Sequence, residues 1–304
     1  MENIAAMPYR QLGNSTLYIS RVGFGCMSLQ STEANFDNVI GNAFDEGINF
    51  FDTADLYDKG LNEVLLGKVL KEKRKQVIIA TKVGNVWKPD GSSFDWNPSK
   101  KHIIGAVEES LKRLQTDYID LYQLHGGTID DDIDDTIDAF ETLKQQGKIR
   151  YYGISSIRPN VIREYVKRSN IVSVMMQYSL LDRRPEEKCL ELLQSNNIGV
   201  LARGTVATGL LLGKEAKPYL SYNEVEVKIA AKAIKMITQI DGNSAATAID
   251  YVLQNQAITS AVVGIRNMHQ LQETLQVITK APITITNIAS LNSLLQIDQY
   301  KQHR

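Results

Sequence analysis

A (β/α)8 barrel is the α/β fold class this sequence predicts, and three observations carry it. Short apolar or β-branched runs alternate with longer stretches of helical spacing. Eight such rounds fit within roughly 250 residues, the length of one barrel. Most of the short runs are apolar throughout instead of alternating, as strands are when both faces of a parallel sheet are covered. The 304 residues contain no linker, low-complexity stretch or short repeat, so a single domain over 1–304 is expected. A six-stranded doubly wound sheet is the alternative layering.

Each element has its own signal. Residues 8–20 (PYRQLGNSTLYIS) predict a hairpin turning at Gly13-Asn14, ahead of a first strand near 20–24. FDNVIGNAFDEG is apolar at 36, 39, 40, 43 and 44 and stops at Gly47, which reads as a helix with its C-terminal glycine. Strand two falls at 47–52 (GINFFD), and the next helix at 61–73, where Leu61, Val64, Leu65, Val69 and Leu70 share a face. Strand three is 77–82 (VIIATK). The helix 99–114 opens on Ser99 as N-cap and closes on basic residues that suit its dipole. Strands near 119–124, 149–154, 171–177, 198–202 and 260–264 then alternate with helices at 133–146, 159–168, 185–196, 224–239, 244–255 and 268–278. Residues 283–304 predict a C-terminal helical tail. The connections 83–98 and 203–223 are longer than usual βα loops, and in a barrel both lie on the C-terminal face, where active sites are built.

Composition narrows the function classes. Lys plus Arg is 34 against 35 for Asp plus Glu, a formal net charge of −1, so no basic excess points to nucleic acid or an anionic membrane. No apolar run approaches the roughly 18 residues of a membrane span. The opening MENIAAMPYR lacks the charged-then-apolar pattern of a secretory signal. Cys26 and Cys189 are the only two cysteines and have no CxxC spacing, which excludes a disulfide framework or a cysteine zinc site. A cytoplasmic protein without a bound metal is expected, monomeric by default.

The residues with chemistry sit just beyond strands two, three and four: Asp52, then Tyr57 in TADLYDKG, Lys82, and His125. These strand ends are consecutive neighbours at one barrel rim, so the four side chains converge. A tyrosine with an ordinary pKa of about 10 is a weak acid at neutral pH. A nearby ammonium is expected to lower that value, and a carboxylate to hold the ammonium in place. The histidine can orient a carbonyl or relay a proton. Singly, Asp52 reads as a turn cap, Tyr57 as a rim tyrosine and His125 as a structural histidine. Together they read as general-acid chemistry on an oxygen.

The segments NFFDTADLY, IIATKVG and LYQLHGG resemble the signature segments of the aldo-keto reductases, in order and at the family's spacing. The resemblance runs from RQLGNSTLYISRVGFGCM to GIRNMHQLQET, and LHGGT, YYGISSIRP and the ARG segment are similar to the bacterial general-reductase branch. It implies NADPH-dependent reduction of a small aldehyde or ketone to an alcohol. Tyr57 is then the general acid, Lys82 tunes it, Asp52 holds Lys82, and His125 positions the carbonyl. It further implies that Gly25 and Met27 line the nicotinamide beside Asp52, and that Ser155, Ser156 and Gln177 hold its carboxamide. Ser156 stands where the family commonly has Asn. Arg203 replaces the family's stacking aromatic, and its planar guanidinium can lie flat on a ring. Gly204, Val206 and Gly209 match the approach to the pyrophosphate. Gly264, Arg266, Gln270, Glu273 and Thr274 match the adenosine end, where the 2′-phosphate relies chiefly on Arg266. The second reading is a nicotinamide-binding redox sensor or regulatory subunit of the same fold, with negligible turnover.

Three further features are weighed on their own. GFGCMS shows G-x-G but lacks the third glycine and a ribose-binding acid, so it is no dinucleotide fingerprint. Trp87 and Trp96 either wall a substrate pocket or pack on the solvent side. Asp130, Asp131, Asp132, Asp134 and Asp135 read as a solvated loop leading into a helix.

Overall fold

The chain's architecture was taken from a computed structural model, which describes residues 6–238 and 242–304. The first five residues of the expected domain, and residue 239 at the end of the expected helix 224–239, lie outside the described residues. Two short strands come first, β1 (Tyr9–Gln11) and β2 (Tyr18–Ser20), paired antiparallel. The chain continues through β3 (Val22–Gly25), α1 (Glu33–Asp45), β4 (Phe50–Asp52), α2 (Leu61–Leu70), β5 (Ile78–Val83), β6 (Asn85–Trp87), β7 (Phe94–Trp96) and α3 (Lys100–Leu114). Next come β8 (Ile119–Leu124), α4 (Ile133–Gln145), β9 (Ile149–Ser155), α5 (Pro159–Arg168), β10 (Ser173–Gln177), α6 (Cys189–Ser195) and β11 (Gly199–Arg203). It ends with α7 (Glu224–Thr238), α8 (Ser244–Leu253), β12 (Ile258–Gly264), α9 (Met268–Thr279) and α10 (Ile285–Ser293). Strands β3, β4, β5, β8, β9, β10, β11 and β12 pair in parallel in that order, and β12 pairs back onto β3. That closure makes an eight-stranded barrel and removes the doubly wound alternative.

The apolar character of the strands has the expected cause. Every residue of β5 and of β8 is buried, half facing the barrel interior and half facing helices. The interior core holds Phe50, Ile78, Ala80, Leu121, Met175, Leu201 and Val262, and Leu12, Leu17 and Ile19 of the hairpin close it from below. The helices are pinned by side-chain caps: Thr32 accepts from the Asn35 N–H, Ser99 from His102, and Asp132 from Asp135. Among the described residues no helix is long and apolar enough to cross a membrane.

Gly13 shows how tightly the hairpin seats. Its φ of +55° is left-handed, and a Cβ there would lie 2.3 Å from the Val172 carbonyl oxygen. Gly13→Ala is expected to destabilise the protein by about 2–4 kcal/mol, combining backbone strain with overpacking. Urea unfolding checks this, and an unchanged midpoint would show that the hairpin is not seated against the barrel floor.

Several boundaries differ from expectation for local reasons. Strand two keeps only Phe50–Asp52, because Gly47 closes the helix and the Asn49 side chain bridges to Ser20 N–H and Tyr18 O. The helix expected at 61–73 ends at Leu70 and continues as a 3-10 turn, Lys71–Gln76. The helix expected at 185–196 divides into a 3-10 turn, Arg184–Glu187, and α6, since Arg183 and Tyr178 both hold Glu186. Connection 83–98 is an ordered hairpin, β6–β7. Connection 203–223 contains a 3-10 turn, Ala207–Leu212, and a Tyr219–Tyr222 bridge. The tail is helical only over Ile285–Ser293. Beyond it the chain is tied down by Tyr222 Oη donating to Gln296 O and Asn160 N–H donating to His303 O, both 2.8 Å.

Candidate active site

The C-terminal ends of β4, β5 and β8 bring Asp52, Lys82 and His125 to one rim, and the turn after β4 folds Tyr57 over them. Lys82 Nζ donates to Asp52 Oδ2 at 2.7 Å, to Thr53 O at 2.7 Å and to Tyr57 Oη at 3.2 Å. Gln123 Nε2 donates to the other Asp52 oxygen at 3.4 Å. The Tyr57 and His125 rings meet edge-on, centroids 6.0 Å apart. The turn that carries Tyr57 is built from left-handed residues, Asp58, Lys59 and Gly60, with φ of 46°, 53° and 88°. It is braced by the hydrogen bond between Ser31 and Asp58, and by Trp87 Nε1 donating to Leu56 O at 3.3 Å.

Burial sets the electrostatics here. The Asp52–Lys82 pair is almost fully buried, with side chains 5% and 1% exposed. Burial alone would pull Lys82 down, but Asp52 and Tyr57 together outweigh it and hold the ammonium above its ordinary range. Burial also dominates at Tyr57 and raises it; Lys82 works in the opposite direction without cancelling the shift. The expected lowering of the phenol is therefore corrected: it describes the Lys82 contribution alone, and desolvation of the phenolate wins. His125 is pushed down to about 3 by burial, with Lys82 and Arg203 adding to the effect. Its imidazole is neutral near pH 7. Its Nδ1 is buried without a partner, and its side chain lines the cavity.

These side chains line a cavity of about 850 Å³. The same wall carries Gly25, Met27, Ser155, Ser156, Gln177, Arg203, Gly204, Val206, Gly209, Gly264, Arg266, Gln270, Glu273 and Thr274. The wall suits a long, polyanionic cofactor with a planar amide end. Hydroxyls and an amide cluster where β9 and β10 end. Gly204 and Gly209 are left-handed glycines, with φ of 71° and 92°, and the Lys214 side chain lies over Gly209. Arg203 and Arg266 have no carboxylate partner among the described residues, so their charge is available to a ligand. Gln270 Oε1 accepts from the Arg266 N–H at 3.0 Å and fixes that corner. Cys26 is buried core, whereas Met27 is 65% exposed at the cavity mouth.

Neither Trp87 nor Trp96 is on the cavity wall. Trp96 packs instead against Gly84 and Gly126, just beyond the ends of β5 and β8, and donates to Asp131 Oδ1 at 3.0 Å. Asp131 also accepts from Thr128, so the acidic run is partly a structural brace and only partly a solvated loop. Sequence reasoning missed the support behind the tetrad. Thr53 Oγ1 donates to Asn62 Oδ1 at 2.7 Å and Asn62 Nδ2 to Cys26 O at 3.1 Å, tying the Lys82 acceptor to the first barrel strand. The signal was present as LNE eight residues after Thr53, where helix spacing absorbed it. The cavity residues Arg158, Lys214 and Tyr219 were missed as well.

A closed barrel with Asp, Tyr, Lys and His on adjacent strand ends, opening into a cofactor-sized cavity, has the layout of an aldo-keto reductase. The sequence profile of the aldo/keto reductase family matches residues 21–296, and the chain belongs to that family of oxidoreductases. It is 49% identical to the uncharacterized oxidoreductase YqkF of Bacillus subtilis, over 98% of this chain and 100% of that one. It is 34% identical to the aldo-keto reductase yakc [NADP(+)] of Schizosaccharomyces pombe, over 70% of this chain and 65% of that one. Its fold matches the holo form of aldo-keto reductase AKR11C1 from Bacillus halodurans with a TM-score of 0.92, at 48% identity and covering 98% and 99% of the two chains.

Proposed function

We propose that this oxidoreductase reduces small aldehydes or ketones to alcohols with NADPH, Tyr57 acting as general acid. The observation that carries the reading is the phenol of Tyr57 held 3.2 Å from a lysine that is itself locked in a buried ion pair. A reduced nicotinamide bound in this cavity would supply the hydride for the carbonyl carbon. Tyr57 keeps its proton through the neutral range, so the acid is loaded when the carbonyl oxygen becomes basic. Lys82 then faces the phenolate left behind, and Asp52 keeps the ammonium from turning away. His125, neutral, donates a ring N–H to the carbonyl oxygen and fixes its direction. Ser155, Ser156 and Gln177 would hold the carboxamide, and Gly25, Met27 and Arg203 would line the place of the ring. Gly204, Val206 and Gly209 would take the pyrophosphate; Gly264, Gln270, Glu273 and Thr274 the adenosine end, with Arg266 on the 2′-phosphate. The same reading has the enzyme working as a cytoplasmic monomer with both buried cysteines reduced.

The test is loss of NADPH absorbance with a panel of aldehydes and ketones, repeated with NADH. Turnover supports the reading, whereas NADPH binding without turnover on any carbonyl favours the redox sensor. In the same assay Arg266→Ala is expected to cut the NADPH-over-NADH ratio of kcat/KM by about 10- to 100-fold, the worth of a charged hydrogen bond. An unchanged ratio would remove Arg266 from the 2′-phosphate.

A further inference from the structure

Behind the tetrad, between the barrel wall and helices α2 and α3, lies a buried polar cluster that the reaction above does not use. Thr81, the neighbour of Lys82 on β5, donates to Glu63 Oε1 at 2.6 Å. Arg113 of α3 donates through Nε to Glu63 Oε2 at 2.6 Å and through a terminal nitrogen to Ser110 Oγ at 3.2 Å. Glu63 is fully buried, and both its oxygens are taken. Asp55 faces the same cluster from the turn that carries Tyr57. Its N–H donates to Lys82 O at 3.4 Å, while its Oδ1 is buried with no partner. The charges facing Asp55 are Glu63 from α2, Arg113 from α3 and Lys82 from β5. The Tyr122 hydroxyl of β8, also buried, faces Asp55 and Glu63. One guanidinium lies near two carboxyls, and it is bonded to Glu63.

We infer that Asp55 is a further positioning residue for the proposed reduction: its carboxyl, whose Oδ1 is left without a partner because Glu63 holds the neighbouring guanidinium, gates the Lys82 charge that Tyr57 depends on. The inference rests on the reductase reading above. Burial and the Glu63 charge raise the Asp55 carboxyl to about 7, with Arg113 opposing them. His125 titrates far below that range, and Tyr57 and Lys82 lie above it. With Asp55 protonated, Lys82 acts on Tyr57 undiminished and proton donation is easier. An ionised Asp55 behind Lys82 favours the ammonium, disfavours the phenolate and slows proton donation. A carboxyl raised in the folded state also leaves a mark on stability. Between the unfolded value near about 4 and the folded one, the folded chain holds the extra proton, so stability falls as pH rises through that window.

Asp55→Asn in the full chain tests this, because Asn copies the shape and cannot ionise. For benzaldehyde reduction with NADPH, wild-type kcat/KM should fall about three- to tenfold as pH rises through neutrality, and the D55N profile should be flat there. The melting-temperature gap between D55N and wild type should widen in favour of D55N as pH is raised from about 5 to about 8. Glu63→Gln, which removes the neighbouring charge, should move the wild-type transition to lower pH. A neutral transition that survives in D55N, or a melting gap that is constant with pH, overturns the inference. Should no carbonyl be reduced, the reductase reading fails, and two readouts without turnover still decide Asp55. One is the melting gap. The other is the alkaline phenolate absorbance step missing from Tyr57→Phe, which moves to lower pH in D55N if Asp55 offsets Lys82 and stays in place if it does not.

Discussion

Tyr57→Phe is expected to lower kcat/KM for carbonyl reduction by about 10²- to 10⁴-fold, the usual contribution of a positioned general acid, with NADPH affinity nearly unchanged. The ring, and its edge contact with His125, survive the change, so the cavity keeps its shape. Only the hydroxyl 3.2 Å from Lys82 Nζ is lost. Lys82 still has Asp52 and Thr53 O as acceptors, each at 2.7 Å, so the fold should lose less than about 1 kcal/mol. Steady-state kinetics and a thermal melt on one preparation separate the two effects. A variant that keeps more than about a tenth of the wild-type rate would show that Tyr57 is not the acid.

Lys82→Met is expected to reach a comparable loss of activity and, unlike the tyrosine variant, to destabilise the protein by about 3–5 kcal/mol. Methionine fills much of the volume but leaves the Asp52 carboxylate buried, with Gln123 at 3.4 Å as its remaining side-chain donor. An uncompensated buried charge is the costly element, so the double variant Asp52→Asn, Lys82→Met should recover stability without recovering turnover. The single variant should also be relatively more stable in acid, because Asp52 without its ammonium is raised further and binds a proton on the folded side. That makes stability fall with rising pH. A Lys82→Met protein as stable as wild type at neutral pH would mean that Asp52 is not held as a carboxylate.

Much of the barrel could be read from the chain because each signal is local. Ile119–Leu124 forms where its apolar run is, and Ser99 caps the helix it precedes. Asp52, Lys82 and His125 were legible because each ends or follows an apolar run, and strand order alone places neighbouring strand ends together. The hairpin in 83–98 was not legible, since its strands are three residues each and Trp87 and Trp96 read equally well as pocket wall or packing. The division of 185–196 depended on Arg183 and Tyr178 gripping Glu186, contacts of two side chains with a third that no periodicity reports.

What the sequence determined by itself was the succession of strands and helices, the closure they imply, and the identity of the polar residues at the rim. Those follow from spacing along one chain. The tertiary structure alone decided the direction in which Tyr57 shifts, the neutrality of His125, and the meeting of Asp55, Glu63, Arg113 and Tyr122 behind Lys82. The reason is physical: a charge's free energy depends on how completely distant segments strip water from it and which charges they bring near. Neither quantity is a property of its neighbours in sequence.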